Sequence, residues 1–587
     1  MSKKILVIDD DRLVLNTLRK LFSKEGYGVA IAPSGKEALE IIKKTDFDLV
    51  IADIKMAGID GVETATAIKK YFNERNKPEI PIVFITGYAD IADQKHAQNL
   101  GEVLIKPFDN EELLENVKVE TEILPHKKIH RQLEIEKRLS PRVAINFPIR
   151  LFPDVEANVI DISETGIRFD CKGPVLPEDI LLLMDLSSFR PKQPTKISAK
   201  VVWHKPLPEN RFQFGAHFSL LDKNHFSQIR DFIFDSFAKN ASTGIKEDDL
   251  RIKVEDFFNK TIRQYHENLS ALVQEISAEQ FDSGDVEEKL TMLINNLLLK
   301  CETLGKVVDN NLYMKRIKQV FREITSCWFY KSPITKLAYD RPRGYPGDFE
   351  LFEIIYNNKP IAENNTIGFY CDRCFLNNDY AKAARARKNK MKNILQDFIE
   401  NSNLSTIKLL NIACGPSREI RELVADPLLL SEISGGKIIF TGLDNDKDAL
   451  EFSKSALKNV ASNIETRFLH ENVLDIFRND KYYDLIGKQD IIYILGLTEY
   501  LPDRIFKRLL RFLFQLLNEK GMLVVTYKDK DITFPSLGPD WISDWVFIKR
   551  GKDDLIKAAK EAGADEHSLK IEREGTGTIF FVKITKS

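Results

Sequence analysis

The stretch "LLNIACGPSREI", residues 409–420, reads as an apolar strand running into a tight turn and then a helix. It carries one glycine where nucleotide-cradling turns usually carry several, so by itself it leaves two readings open: a cofactor loop, or an ordinary strand-to-helix connection. Its neighbours along the chain bear on the choice. The next strand, in "KIIFTGLDND", ends on Asp444 about thirty residues downstream. A carboxylate at a second-strand tip is the acceptor that a ribose with two free hydroxyls requires. A third segment, "ETRFLHENVLDIF", puts Asn472 and Val473 where an adenine edge would be bounded. A fourth strand, "QDIIYILGLTEYLPDR", is followed by the helix "IFKRLLRFLFQLL" and then by "NEKGMLVVTY". The loop-to-acid spacing is long for a dinucleotide fingerprint, and G-x-G-x-x-G is absent. This alternation predicts an α/β domain over 401–587.

Outward from that segment, the chain of 587 residues is too long for one core and predicts several domains. Residues 1–120 alternate short apolar strands ("ILVI", "LVIAD", "IPIVFIT", "VLIK") with amphipathic helices, the pattern of a doubly wound parallel sheet. The charged stretch "HKKIHRQLEIEKR" makes 121–136 a linker. The strands "FPIRLF", "ANVIDIS", "GIRFDC", "KISAKVVWH" and "FQFGAHF" predict a small all-β barrel over 137–240, and 245–400 reads as a helical cap and substrate region. Lys+Arg 86 against Asp+Glu 88 gives a net charge of -2, without the basic excess that would favour nucleic acid or an acidic membrane surface. No apolar run approaches the roughly 18 residues of a membrane span. "MSKKILVIDD" becomes a strand at once instead of a secretory signal, and six scattered cysteines suit a reducing compartment. The expectation is a cytoplasmic protein, not an integral membrane one. Cys371 and Cys374 in "CDRC" have zinc-ligand spacing but no second pair.

In the first module, Asp9, Asp10 and Asp11 follow the first strand and Asp53 ends the third. Parallel strands bring their carboxyl ends to one edge, where clustered carboxylates call for a hard cation such as Mg²⁺. Thr86 and Lys106 deliver a hydroxyl and a cation to the same edge. The set resembles a two-component receiver domain with a flavodoxin-like fold. By that resemblance Asp53 accepts phosphate from a sensor histidine kinase, and Asp9, Asp10 and Asp53 hold Mg²⁺. Thr86 then senses the phosphoryl group, and Lys106 pairs with it before a cis Pro107. Val103 stands where this family usually carries a switch aromatic, which argues against the aromatic-flip form of signalling.

The second module opens with Arg138 and Arg142 in "RLSPR" and continues with Asp161, Ser163 and Gly166 in "DISETG". Arginine forks match phosphate oxygens bidentately and can read a guanine edge. These residues resemble a PilZ domain, whose RxxxR and D/NxSxxG motifs bind cyclic di-GMP. The resemblance assigns Arg138 and Arg142 to phosphates and guanine, Asp161 and Ser163 to a guanine edge, and Gly166 to a close backbone approach.

The C-terminal order of loop, acid and strands looks like a class I S-adenosylmethionine-dependent methyltransferase with a Rossmann-like fold. Asn411, Ala413, Gly415 and Ser417 stand at the positions of its first-strand signature, with Asn411 replacing the usual acid; Asp444, Asn472 and Val473 complete the cofactor set. "RPRGYPGDFELFEIIYN", "AKAARARKNKM", "YILGLTEYLPDR" and "DWISDWVFIKR" look like segments of bacterial methyltransferases assigned to making 3-hydroxypalmitic acid methyl ester, a quorum-sensing signal. A carboxylate acceptor is already anionic at neutral pH and needs alignment and desolvation instead of a base. Arg385 and Arg387 are candidate carboxylate anchors, and Tyr345, Asp348, Glu499 and Tyr500 candidate pocket residues. An amine or hydroxyl acceptor would call on Glu499 or His470 as base. The expected whole is a response regulator whose methyltransferase output acts on a hydroxy fatty acid or similar small acid or acyl substrate. Methylation of protein carboxylates and a non-catalytic, cyclic di-GMP-responsive adaptor stay open as alternatives.

Overall fold

Three sheets carry the architecture. The computed structural model describes residues 3–56, 58–74, 80–86, 97, 100–105, 113–114, 117, 140–151, 155–173, 176–184, 195–208, 210–219, 221–278, 282–425 and 436–586. Lys106, Pro107, Arg138 and the linker expected at 121–136 lie outside the described residues. The chain divides into two units, Met1–Glu134 with Arg341–Pro346, and Ile135–Asp340 with Gly347–Ser587.

In the first unit, β1 (Lys4–Ile8), β2 (Gly28–Ala32), β3 (Leu49–Asp53), β4 (Ile82–Thr86) and β5 (Glu102–Ile105) form a parallel sheet in the order β2-β1-β3-β4-β5. The period of two along β1 divides its side chains between two cores. Leu6 and Ile8 pack on one face, Ile5 and Val7 on the other, as a sheet covered on both sides demands.

The second unit begins with a closed barrel, β10-β11-β8-β7-β6-β9. Its strands are β6 (Arg142–Leu151), β7 (Val155–Ser163), β8 (Gly166–Lys172), β9 (Asp179–Met184), β10 (Thr195–Leu207) and β11 (Arg211–Phe218). Strand β9, "DILLLM", is absent from the sequence-based set because its near-continuous apolar run lacks the alternation of a one-sided strand. The barrel and the helices after it do not have separate cores. One apolar cluster runs from Phe169 and Phe214 through Phe234, Phe258 and Phe321 to Trp541. The boundary expected near 240–245 therefore falls inside a shared interior.

A buried polar chain crosses the same junction. Glu164, in the β7–β8 turn, accepts from Arg230 and, at 3.0 Å, from Nε2 of His266; Trp328 Nε1 donates to His266 Nδ1 at 2.9 Å. An indole N–H can only donate, so Nδ1 must accept and the proton sits on Nε2, which fixes the tautomer. Burial alone would push the Glu164 carboxyl up, but His266 and Arg230 outweigh it and hold it below its ordinary value.

The last sheet has the order β14-β13-β12-β15-β16-β18-β17. Its strands are β12 (Thr406–Ile412), β13 (Lys437–Asp444), β14 (Ile464–His470), β15 (Gln489–Ile494), β16 (Leu517–Lys528), β17 (Leu569–Arg573) and β18 (Ile579–Thr585). The first five are parallel in the 3-2-1-4-5 order of a doubly wound sheet, and β17 and β18 form a closing antiparallel pair. Leu410, Ile412, Ile492 and Ile494 pack beneath the helix Asp503–Leu516. Leu409, Ile491 and Tyr493 face Met391, Ile394 and Leu395 of the helix Asp379–Glu400. Among the described residues no helix is long and apolar enough to cross a membrane.

Candidate functional site

Three constellations occupy the places where these folds present chemistry. On the N-terminal sheet, carboxylate oxygens of Asp9, Asp10 and Asp53 all lie within 4.8 Å of one another. That convergence at one sheet edge fits a hard divalent cation. The third aspartate is committed elsewhere: Asp11 caps the helix Arg12–Lys24, accepting from the Leu13 N–H at 2.7 Å. Thr86 ends β4 at the same edge and is buried.

In the barrel, Asp161 is fully buried and bonds two guanidiniums, Arg142 at 2.5 Å and Arg168. In this structure the Asp161 carboxylate, expected at a guanine edge, orients these two arginines. Arg168 was missed because it lies outside both motifs, although on β8 it pairs across to Asp161 on β7. Ser163 Oγ donates to the Gly166 carbonyl at 3.2 Å and is buried, which ties it to the turn. A Cβ at Gly166 would stand 2.5 Å from the Ala216 carbonyl oxygen of β11. The close approach the glycine permits is between strands.

The 409–420 stretch folds as expected, with β12 ending at Ile412 and a helix starting at Arg418. Ala413, Gly415 and Ser417 all have positive φ (+53°, +49° and +49°), a strained path for the alanine and serine that folds the loop back on the strand tip. Asp444 Oδ2 accepts from the Gly415 N–H at 2.8 Å and Oδ1 from the Asp446 N–H at 2.9 Å. Burial pushes the Asp444 carboxyl up to about 6 against the pull of those N–H groups. Asn411 pairs with a buried acid, Glu419, eight residues on and on the next helix. Asn411 Nδ2 donates to Glu419 Oε1 at 2.9 Å and the Tyr493 hydroxyl donates to the same oxygen at 2.8 Å. Asn411 Oδ1 is buried with no hydrogen-bond partner. Asn472 caps Val473–Ile476, its Oδ1 accepting from the Leu474 N–H at 2.8 Å.

Beside this loop, at the carboxyl ends of β15 and β16, lies a buried polar cluster. Arg387 is 3% exposed and Glu499 1%, with 3.6 Å between their charged atoms. Gly496 makes room for Arg387, because a Cβ there would sit 2.6 Å from its Nη1. The "DWVFIKR" stretch pins the "GLTEY" turn with four bonds. Trp545 Nε1 donates to the Tyr500 hydroxyl at 2.6 Å and the Ile548 N–H to the Glu499 carbonyl at 2.8 Å; Arg550 donates to the Thr498 and Leu501 carbonyls.

Arg385, an expected carboxylate anchor, and Asp348, an expected pocket residue, are engaged at helix ends. Arg385 donates to the Ile355 and Leu376 carbonyls at 3.3 and 2.8 Å, closing the ends of two helices, and Asp348 caps Phe349–Asn357. Tyr345 falls in the Arg341–Pro346 segment of the first unit. Lys528, the last residue of β16, was missed because a lysine after an apolar run reads as a solvated strand end.

Residues 5–118 match the response regulator receiver domain model, and residues 136–235 the PilZ domain model. The transcriptional regulatory protein ZraR of Klebsiella oxytoca is 40% identical over 111 residues, 19% of this chain and 24% of its own length. The chain thus spans about a quarter of the length of such relatives. Sporulation initiation phosphotransferase F of Bacillus subtilis is 33% identical over 120 residues, 20% of this chain and 93% of its own length. Of solved structures, response regulator protein TrrA of Thermotoga maritima is 34% identical, covering 20% of this chain and 98% of its own with a TM-score of 0.18. With its clustered carboxylates at the edge of a parallel sheet and its arginine-bearing barrel, the chain belongs to the response regulator receiver family and carries a PilZ domain behind its receiver.

Proposed function

We propose that this response regulator has a methyltransferase output: its C-terminal domain transfers the methyl group of S-adenosylmethionine to the carboxylate of a hydroxy fatty acid or similar small acid. Its inputs are Asp53 phosphorylation by a sensor histidine kinase and cyclic di-GMP at the barrel arginines. The observation that carries the reading is the Gly415–Asp444 bond at the carboxyl edge of β12 and β13, beside the point where the strand order reverses between β12 and β15.

The residues present fit the cofactor. A Cβ at Gly415 would meet nothing within 4 Å, so the loop leaves room on its outer side. Asp444 keeps lone pairs beyond the two N–H groups it serves, enough for ribose hydroxyls, and Asn411 Oδ1 is a buried acceptor in want of a donor. Bound there, S-adenosylmethionine supplies an electrophilic methyl group. The chain's task is to orient the acid and strip its water. Arg387 provides the fixed positive charge, held by Glu499 and packed at 5.4 Å on the Phe352 ring. No proton has to leave a carboxylate before it attacks, so no base is assigned.

The test is incubation of the full chain with methyl-deuterated S-adenosylmethionine and an extract of cellular acids, followed by mass spectrometry. Deuteromethyl esters in the organic phase support the reading. Label confined to protein carboxylates would replace it with protein methylation, and label in neither fraction would refute an enzymatic output.

A further inference from the structure

The polar cluster at the ends of β15 and β16 is unbalanced in charge. Arg387 and Glu499 offset one another, but Lys528, 4% exposed, adds a second cation, and its Nζ has no hydrogen-bond partner. Arg387 Nε and Glu499 Oε2 are likewise buried without a partner. Unpartnered buried polar atoms are rare in folded proteins, and three in one cluster call for an explanation. Around the amine stand aromatic rings: Phe547 directly against it, Tyr380 at 4.3 Å and Trp545 at 5.9 Å to the ring centres. Two unmatched donors in an aromatic wall describe a receptor for one negative charge on an apolar body.

We propose that Lys528, together with Arg387, receives the carboxylate of the acid substrate. The proposal rests on the methyltransferase reading for what happens to that acid afterwards, not for its binding. Without an anion, burial pushes the Lys528 ammonium well below the usual lysine range; Glu499 opposes that fall, and Arg387 and Lys549 add to it. These are the charged groups that face it from β16's neighbours. A neutral amine removes the excess charge from the low-dielectric interior. When a carboxylate enters, the balance reverses and the amine takes a proton from solvent to become the ammonium partner of the bound anion. The Phe547 ring covers the amine. It belongs to the 544–549 strap, whose Val546 (62%) and Ile548 (39%) are exposed while Trp545 and Phe547 are buried.

The test is calorimetric titration of the full chain with decanoate across a pH series from about 6 to 9, with and without S-adenosylhomocysteine, in two buffers of different ionisation heat at each pH. The expected result for the wild type is net proton uptake on decanoate binding that grows as the pH is raised, because the depressed amine is neutral above its own titration range and charged below it. Lys528→Met should bind about tenfold or more weakly, as loss of a charged hydrogen bond implies, with uptake near zero. A residue that merely packs would not move the proton count. Decanoate binding with identical heats in both buffers at every pH overturns the proposal, and the wild-type measurement alone decides this should Lys528→Met not fold. S-adenosylhomocysteine binding without any decanoate binding also overturns it while leaving the cofactor reading intact. Decanoate binding with proton uptake but no S-adenosylhomocysteine binding upholds Lys528 and overturns the methyltransferase.

Discussion

Replacing Asp444 by asparagine separates two pH dependences of opposite sense. Burial raises this carboxyl from 3.8 to about 6 in the folded chain. The gap of about 2.2 units is worth ~3 kcal/mol at 1.36 kcal/mol per unit. Below the unfolded value the group is protonated in both states and costs nothing; as pH rises through about 6 the folded loop loses that stability. Between pH 5 and 7.5 the wild-type loop should lose about 1.3 kcal/mol from this group, roughly a ninefold drop in amide protection. Cofactor affinity should run the other way, because ribose hydroxyls donate best to an ionised acceptor. From pH 7 down to 5 the ionised fraction falls from about nine-tenths to about one-tenth, so affinity should fall about ninefold. Hydrogen exchange of peptides spanning β12 to β13 reads the first effect and calorimetry with S-adenosylmethionine the second. Asp444→Asn should flatten both and weaken binding at pH 7 by roughly 1.5–3 kcal/mol. A variant that tracks the wild type in both profiles would refute the role given to this carboxylate.

Acetyl phosphate with Mg²⁺ should label the wild type and not Asp53→Asn, as detected by intact-mass shift; equal labelling would remove Asp53 as acceptor. Arg142→Ala should weaken cyclic di-GMP binding by roughly 1.5–3 kcal/mol in a calorimetric titration, the range for hydrogen bonds to charged groups. His266→Ala leaves buried Glu164 and the Trp328 N–H each short of a partner, at a cost of about 1–3 kcal/mol apiece. Because barrel and helices share a core, amide protection should fall in both together, and loss confined to one would contradict the continuous interior. Gly166→Ala should destabilise the barrel by about 1–3 kcal/mol in urea unfolding, through overpacking against the Ala216 carbonyl.

The parallel sheets were legible because their strands are short apolar runs with acids at their ends, and topology forces such ends onto one edge. The receiver acids and the loop at 409–420 were found in that way. Strand β9 was not, since "DILLLM" lacks the alternation that marks a half-buried strand. Arg385 and Arg387 look equivalent in "ARARKNKM", yet a helix turns about 200° in two residues, sending one to carbonyl ends and the other to the buried Glu499. Glu419, Arg168 and His266 act through partners 8, 7 and 102 residues away in sequence, and only folding shows which side chains such contacts join.

The central claim is that the loop at 411–417 holds S-adenosylmethionine, and calorimetry of the full chain against Gly415→Val tests it most directly. At φ +49° a β-branched residue is disfavoured and its side chain would project into the open side of the loop. The account predicts one equivalent bound by the wild type and none by the variant, with the circular dichroism of the two unchanged. Equal binding by both, or no binding by the wild type, would contradict it.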